Sequence, residues 1–288
     1  MTPVSPSSRY QPAIHHVVRY RWQPIACCAV AVFMLLCGVL MNTSTWWLDD
    51  CYHDRFSHPM VLFPTADQLL YLTEFCVVLC LGASFWGPLG GSMKAMSRKP
   101  LAMDLNLSEL VDTLATLIWY FGSFALVLAL KYILDDRNCS THPNSVSGHT
   151  NLFVFTIPTL FVLRYRSARH PPFRKSECIW LLPYLGTIVL SVWQLFRTFV
   201  WGFHSLRQML YGGAFGVMSH TAWMLVLFHH HEQLPLIALL VMGVANCVCM
   251  VIVPSCRHSF VPQLCFVPLL LAAWRASYNA KHHLFLPS

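Results

Sequence analysis

Asn144-Ser145-Val146-Ser147-Gly148-His149-Thr150 (NSVSGHT) stands at the mouth of an apolar run. An apolar helix does not itself require a Ser-Gly-His triplet at its start. Glycine allows a backbone to approach a ligand closely, and the first turn of a helix offers free N–H groups at the positive end of its dipole. A phosphate oxygen suits such a place. Imidazole titrates near neutral pH, so His149 can protonate a departing oxygen. Ser147 and Gly148 are therefore expected to contact substrate and His149 to be catalytic. The plain alternative is a histidine that only caps a helix.

The run after the triplet, Asn151–Leu163, is one of eight. The others are Pro24–Met41, Gln68–Trp86, Leu110–Leu130, Cys178–Val200, Gln208–Phe228, Leu234–Val253 and Phe260–Trp274. Most approach the roughly 20 residues that a bilayer requires. The chain of 288 residues is 56% apolar and only 11% charged, where soluble domains carry about a quarter. The expected fold class is all-α: a polytopic membrane helix bundle with six to eight transmembrane helices. A cytosolic segment is expected at 1–23, one transmembrane domain at 24–274 and a tail at 275–288. The first run is too long for a signal peptide and no small-residue cleavage site follows it. The formal charge of +7 is spread over loops, which speaks of topology and not of nucleic acid.

Loop charge orients the helices. Arg9, Arg19 and Arg21 place the N-terminus in the cytosol. The first loop is acidic, with Asp49, Asp50, Asp54 and Asp67, and the second holds Lys94, Arg98 and Lys99. The third carries Asp135, Asp136 and Arg137, and the fourth Arg164, Arg166, Arg169, Arg174 and Lys175. The signs alternate as in a chain that crosses back and forth. His149 then falls on the side opposite the cytosol, and so does His204, in the fifth loop. The sequons at Asn42 and Asn138 fall there too. Cys51, Cys139 and Cys256 share that side and leave the pairing of one disulfide open.

His204 lies in Trp201-Gly202-Phe203-His204-Ser205-Leu206-Arg207-Gln208, followed by MLYGGAFG, whose small residues suit close helix packing. Gln208 is one turn on and positioned to accept a hydrogen bond from the His204 ring. That bond would fix the tautomer and present the other nitrogen as a nucleophile.

The two motifs, 204 − 149 = 55 residues apart, together resemble the lipid phosphate phosphatase superfamily, also called the type 2 phosphatidic acid phosphatase fold. Within it the chain is most similar to the fat storage-inducing transmembrane (FIT) family. Three stretches carry this: TLATLIWY (Thr113–Tyr120), CSTHPNSVSGHTNLFVF (Cys139–Phe155) and FHSLRQMLYGGAFG (Phe203–Gly216). The resemblance implies a phosphatase-like core at about 110–230, with His204 attacking phosphorus and His149 protonating the leaving oxygen. It implies an endoplasmic reticulum enzyme, its site luminal. That enzyme would cleave the diphosphate of fatty acyl-CoA to acyl phosphopantetheine and adenosine bisphosphate, in support of lipid-droplet formation. Diacylglycerol or triacylglycerol would be its membrane partner. Two alternatives stay open: a phosphatase of phosphatidic acid or a related lipid phosphate, and a non-catalytic neutral-lipid-binding protein.

The chain departs from the superfamily pattern. Lys131 and Arg137 are spaced one residue short of its Lys-x6-Arg-Pro, Arg197 is one residue too far from His204, and Gln208 replaces an aspartate. The apolar runs after Phe228 exceed the usual six-span FIT layout. Lys131, Arg137 and Arg197 remain the expected phosphate-binding cations, or else anchors that snorkel to the membrane surface. Trp119, Trp193, Trp201 and Phe203 would line access for an acyl chain. No Cys-x-x-Cys or His-Glu-x-x-His zinc pattern is present, and the expected mechanism uses no metal or other cofactor. His229-His230-His231-Glu232 reads as a polar cytosolic loop.

Overall fold

The structure, a computed structural model, describes residues 22–43, 100–137, 139, 143–167, 181–200, 203–253 and 266–283. Among them are seven α-helices and no strand. These are α1 (Trp22–Thr43), α2 (Pro100–Leu134), α3 (Gly148–Ser167), α4 (Leu181–Val200), α5 (Leu206–His229), α6 (Leu234–Ile252) and α7 (Phe266–His283). A single 3-10 turn, His231–Gln233, separates α5 from α6. Among the described residues four stretches are long and apolar enough to cross a membrane: Gln23–Leu40, Leu110–Leu134, Leu206–His229 and His231–Ile252. Gly148–Leu163 is a shorter apolar helix. The expected span Gln68–Trp86, the first two loops, Arg169, Arg174, Lys175 and Trp201 lie outside the described residues.

Two boundaries differ from the sequence reading. α2 starts at Pro100, ahead of the apolar run, because proline's fixed φ suits a first helical position. α7 continues through His283 where a tail was expected from residue 275. The segment 275–283 holds neither glycine nor proline to stop it.

The helices pack through small residues. α2 lies along α6 and α7, and α5 lies between α1 and α3. A Cβ on Gly122 would sit 2.9 Å from the Met242 Cα and 3.0 Å from its nitrogen, so α2 and α6 meet almost backbone to backbone. On α5, a Cβ on Gly213 would meet the Met34 methyl at 2.5 Å, and one on Gly216 would meet the Asn151 carbonyl at 2.8 Å. Trp223 is fully buried and its Nε1–H donates to Thr116 Oγ1 at 3.1 Å. Trp119 does the same to Ser219 Oγ at 3.1 Å. Buried indoles need such partners. At the other end from the site described below, His231 Nε2 bonds Asp112 Oδ1 at 2.9 Å and ties the 3-10 turn to α2.

The outside is apolar. Phe33, Leu40, Val189 and Val251 are exposed, which suits a lipid surround and not water. α4 shows this most plainly. Leu182, Leu185, Val189 and Val192 point outward, while Thr187, Ser191, Gln194 and Thr198 are buried.

Gly122→Val should destabilise the bundle by about 1–3 kcal/mol through overpacking. A Cβ added at Gly243, on α6, would meet nothing within 4 Å, so Gly243→Ala should be neutral or slightly stabilising. Thermal unfolding of the two variants in detergent checks the contrast.

Candidate active site

The C-terminal ends of α2 and α4 and the N-terminal ends of α3 and α5 meet at one end of the bundle. The turn out of α2 sets the geometry. Asp135 takes a left-handed conformation, φ 43°, and its N–H donates to the Lys131 carbonyl at 3.1 Å. Aspartate tolerates that region better than most residues. The chain then runs back across α2. The Asp136 N–H donates to Ser145 Oγ at 2.9 Å, and Ser145 Oγ–H donates to the Lys131 carbonyl at 3.1 Å. The Asn144 N–H donates to the Asp136 carbonyl at 2.7 Å, while its side-chain amide donates to the Phe203 carbonyl at 2.7 Å. The loop before Ser-Gly-His is thereby fastened to the loop that holds His204.

Ser147 closes the join. Its N–H donates to the Gln208 carbonyl at 3.0 Å. Gly212 makes room: a Cβ there would collide with the Ser147 carbonyl oxygen. The Ser147 hydroxyl accepts the Thr150 N–H at 3.3 Å and the Thr150 hydroxyl at 3.0 Å. That is an N-cap for α3.

His149 and His204 face one another, ring centroids 6.5 Å apart and planes at 68°. Both line a cavity of about 280 Å³ with Lys131, Cys139, Asn144, Gln194, Arg197, Thr198 and Phe203. His204 is only 5% exposed. Its Nδ1–H donates to Gln208 Oε1 at 3.1 Å, since an amide oxygen can only accept. The lone pair is then on Nε2. Burial, the Lys131 charge and the nearby His149 push the His204 pKa down to about 3, against a smaller upward pull from the Gln208 bond. His204 is thus a neutral imidazole throughout the physiological range, ready to act as a nucleophile without losing a proton.

Gln208 is wholly buried. Besides His204, its Oε1 accepts the Ser205 N–H at 3.2 Å, and Ser205 Oγ accepts the Gln208 N–H at 3.4 Å, a capping box for α5. Its Nε2–H donates to Asp136 Oδ2 at 3.4 Å, and the same oxygen accepts from Arg207 at 3.0 Å. The Asp136 carboxylate thus stands one residue removed from the imidazole, with Gln208 between them. It orients the amide, the amide orients the imidazole, and Arg207 balances its charge.

The cavity is lined by four of the eight expected site residues: His149, His204, Lys131 and Arg197. Gln208 acts behind His204. Gly148 borders the site, since a Cβ there would lie 3.9 Å from Lys131 Nζ. Two of the expected site residues stand outside the cavity wall. Ser147 is fully buried and is absent from the cavity wall; its hydroxyl is engaged in capping. Arg137 is exposed and pairs with Asp135 at 2.9 Å, which raises its pKa, and it does not reach the cavity. Of the expected access aromatics, Phe203 lines the cavity, Trp193 is on the outer surface and Trp119 is in the core. Cys139 is disulfide-bonded.

Sequence reasoning missed Asp136, Asn144 and Gln194. Asp136 is 72 residues from Gln208, and no local pattern links the two. Gln194 had a signal, a polar residue every three or four positions inside an apolar run.

Asp136→Asn removes the charge behind Gln208 while keeping the shape. It should lower kcat by about 10- to 100-fold, the usual effect of losing such an outer partner, with KM little changed. Steady-state kinetics on folded protein checks it, and a change in KM alone would assign Asp136 to binding. The acid limb of log kcat/KM should lie well below pH 6.5, the ordinary imidazole value, since the His204 pKa is lowered towards 3. The same depression works on stability. The unfolded chain binds a proton below 6.5 that the folded chain refuses until about 3. Stability from this group is therefore present above 6.5 and is lost as pH falls through that window.

No protein-family model matches the chain, and neither a curated protein nor a solved structure does.

Proposed function

We propose that this protein is a membrane-embedded phosphohydrolase using His204 as nucleophile and His149 as general acid. Its expected reaction is cleavage of the diphosphate of fatty acyl-CoA. The observation that supports this best is the facing histidine pair, with the His204 tautomer set by Gln208 in a cavity walled by Lys131 and Arg197. The two rings stand 6.5 Å apart, centroid to centroid, on the wall of one cavity, so one phosphoryl group bound there would meet both.

In this reading the His204 Nε2 lone pair attacks the phosphorus on the pantetheine side. A P–N bond forms and the P–O bond to the adenosine bisphosphate breaks. The His149 N–H supplies the proton to that oxygen. Lys131 and Arg197 hold the charge that spreads over the remaining phosphoryl oxygens. Water then attacks the phosphohistidine, His149 accepts its proton, and acyl phosphopantetheine leaves with Nε2 restored. His149 thus ends the cycle with the proton it began with. The acyl chain would lie among the helices whose outer surface is apolar. The apolar runs support six to eight spans and the loop charge a cytosolic N-terminus with the site on the opposite side; the resemblance to the FIT family adds the endoplasmic reticulum membrane and a part in lipid-droplet formation.

Purified protein in detergent should convert oleoyl-CoA to oleoyl phosphopantetheine and adenosine bisphosphate. His149→Ala should cost about 10²–10⁴-fold in kcat, and His204→Ala should abolish turnover. Release of inorganic phosphate from phosphatidic acid instead would mark a lipid phosphate phosphatase. No product from either substrate would leave a neutral-lipid-binding protein.

A further inference from the structure

α4 buries its polar residues and exposes its apolar ones. Thr187, Ser191, Gln194 and Thr198 follow one another at steps of four, three and four residues, and all are buried. That spacing draws one stripe down one face of the helix. At about 1.5 Å per residue, Thr198 to Ser191 spans roughly 10 Å. The upper end of the stripe, Thr198 and Gln194, lines the histidine cavity, and Arg197 stands beside it. The stripe therefore descends from the phosphorus site along the helix towards its start.

Polar residues inside a membrane bundle usually bond across to a neighbouring helix or back to their own helix. Two residues of this stripe do neither among the described residues. Gln194 is 2% exposed and Ser191 0% exposed, yet Gln194 Oε1 and Ser191 Oγ have no hydrogen-bond partner. A buried acceptor left unmade destabilises the fold. Gln194 lines the cavity itself, its oxygen is buried at that wall, and the Ser191 oxygen is buried one turn below it.

Resting on the phosphohydrolase reading above, we infer that the Gln194–Ser191 stripe is a substrate-recognition subsite for N–H or O–H donors carried next to the phosphate. The substrate class is then a lipid phosphate or diphosphate whose organic part bears amide or hydroxyl hydrogens within about 10 Å of phosphorus, seven residues of helix rise. Pantetheine, with its hydroxyl and amide N–H groups, belongs to that class. Phosphatidic acid, whose glycerol carries only esters beside its phosphate, does not. A site built to hydrogen-bond a donor rejects the analogue that lacks it, because its own polar group then stays unpaired.

Binding separates this subsite from the chemistry. The full chain carrying His204→Ala, which leaves ligands intact, is titrated with oleoyl-CoA and with dioleoyl phosphatidic acid in nanodiscs. Gln194→Leu in that background should weaken oleoyl-CoA binding at least about 10-fold more than phosphatidic acid binding. Ser191→Ala, a smaller change that guards against misfolding, should shift the ratio in the same direction. Equal losses for both ligands, or no loss for either, overturn the subsite and leave the stripe as packing. If wild-type protein cleaves oleoyl-CoA while the ratio stays put, the subsite alone fails. If neither ligand binds, the phosphohydrolase reading fails and the subsite falls with it.

Discussion

The helix ends that make up the site are joined through Gln208. Its backbone carbonyl holds Ser147, its side-chain oxygen holds His204 and Ser205, and its side-chain nitrogen reaches Asp136. One buried glutamine thus ties the start of α5 to the start of α3 and to the turn out of α2. A carboxylate at position 208 could accept from His204 but could not donate to Asp136. The amide does both, and keeps the Asp136 charge one residue away from the His204 ring. The neutral imidazole comes from burial and the nearby Lys131 charge, which lower the His204 pKa against the upward pull of the Gln208 bond.

The same joint depends on glycine. α5 can come against the Ser147 carbonyl only because position 212 has no Cβ, and against α3 further down only because position 216 has none. In a bundle surrounded by lipid, burying apolar area between helices brings little advantage over leaving it in lipid. Close backbone contact and internal hydrogen bonds supply the association instead. The polar residues of this chain are accordingly drawn inward, to the cavity and to the buried face of α4. Its exposed surface is left to leucine, valine and phenylalanine. The requirement that shapes the fold and the concentration of reactive side chains at one end are consequences of one solvent condition.

Parts of the site were legible because they are local. The Ser-Gly-His triplet announces a helix start, and the spacing from His204 to Gln208 is one helical turn, so their bond follows from periodicity alone. Other parts were legible in type and not in use. Ser147 reads as a phosphate contact and turns out to be a cap, because a hydroxyl at an N-cap finds the N–H groups of its own helix first. Arg137 reads as a phosphate cation and is instead drawn off by Asp135, two residues away on the exposed turn.

By itself the sequence determined the solvent of this protein, the apolar helices and the identity of the histidine pair. The first two follow from composition and from the length of the apolar runs, and the pair, 55 residues apart, from the two short motifs that carry it. Only the tertiary structure decided that Asp136 stands behind Gln208, that Arg197 reaches the cavity where Arg137 does not, and that α4 turns its polar stripe inward. Each of these depends on which helix ends meet and on the rotation of one helix about its axis. Contacts across many tens of residues set both.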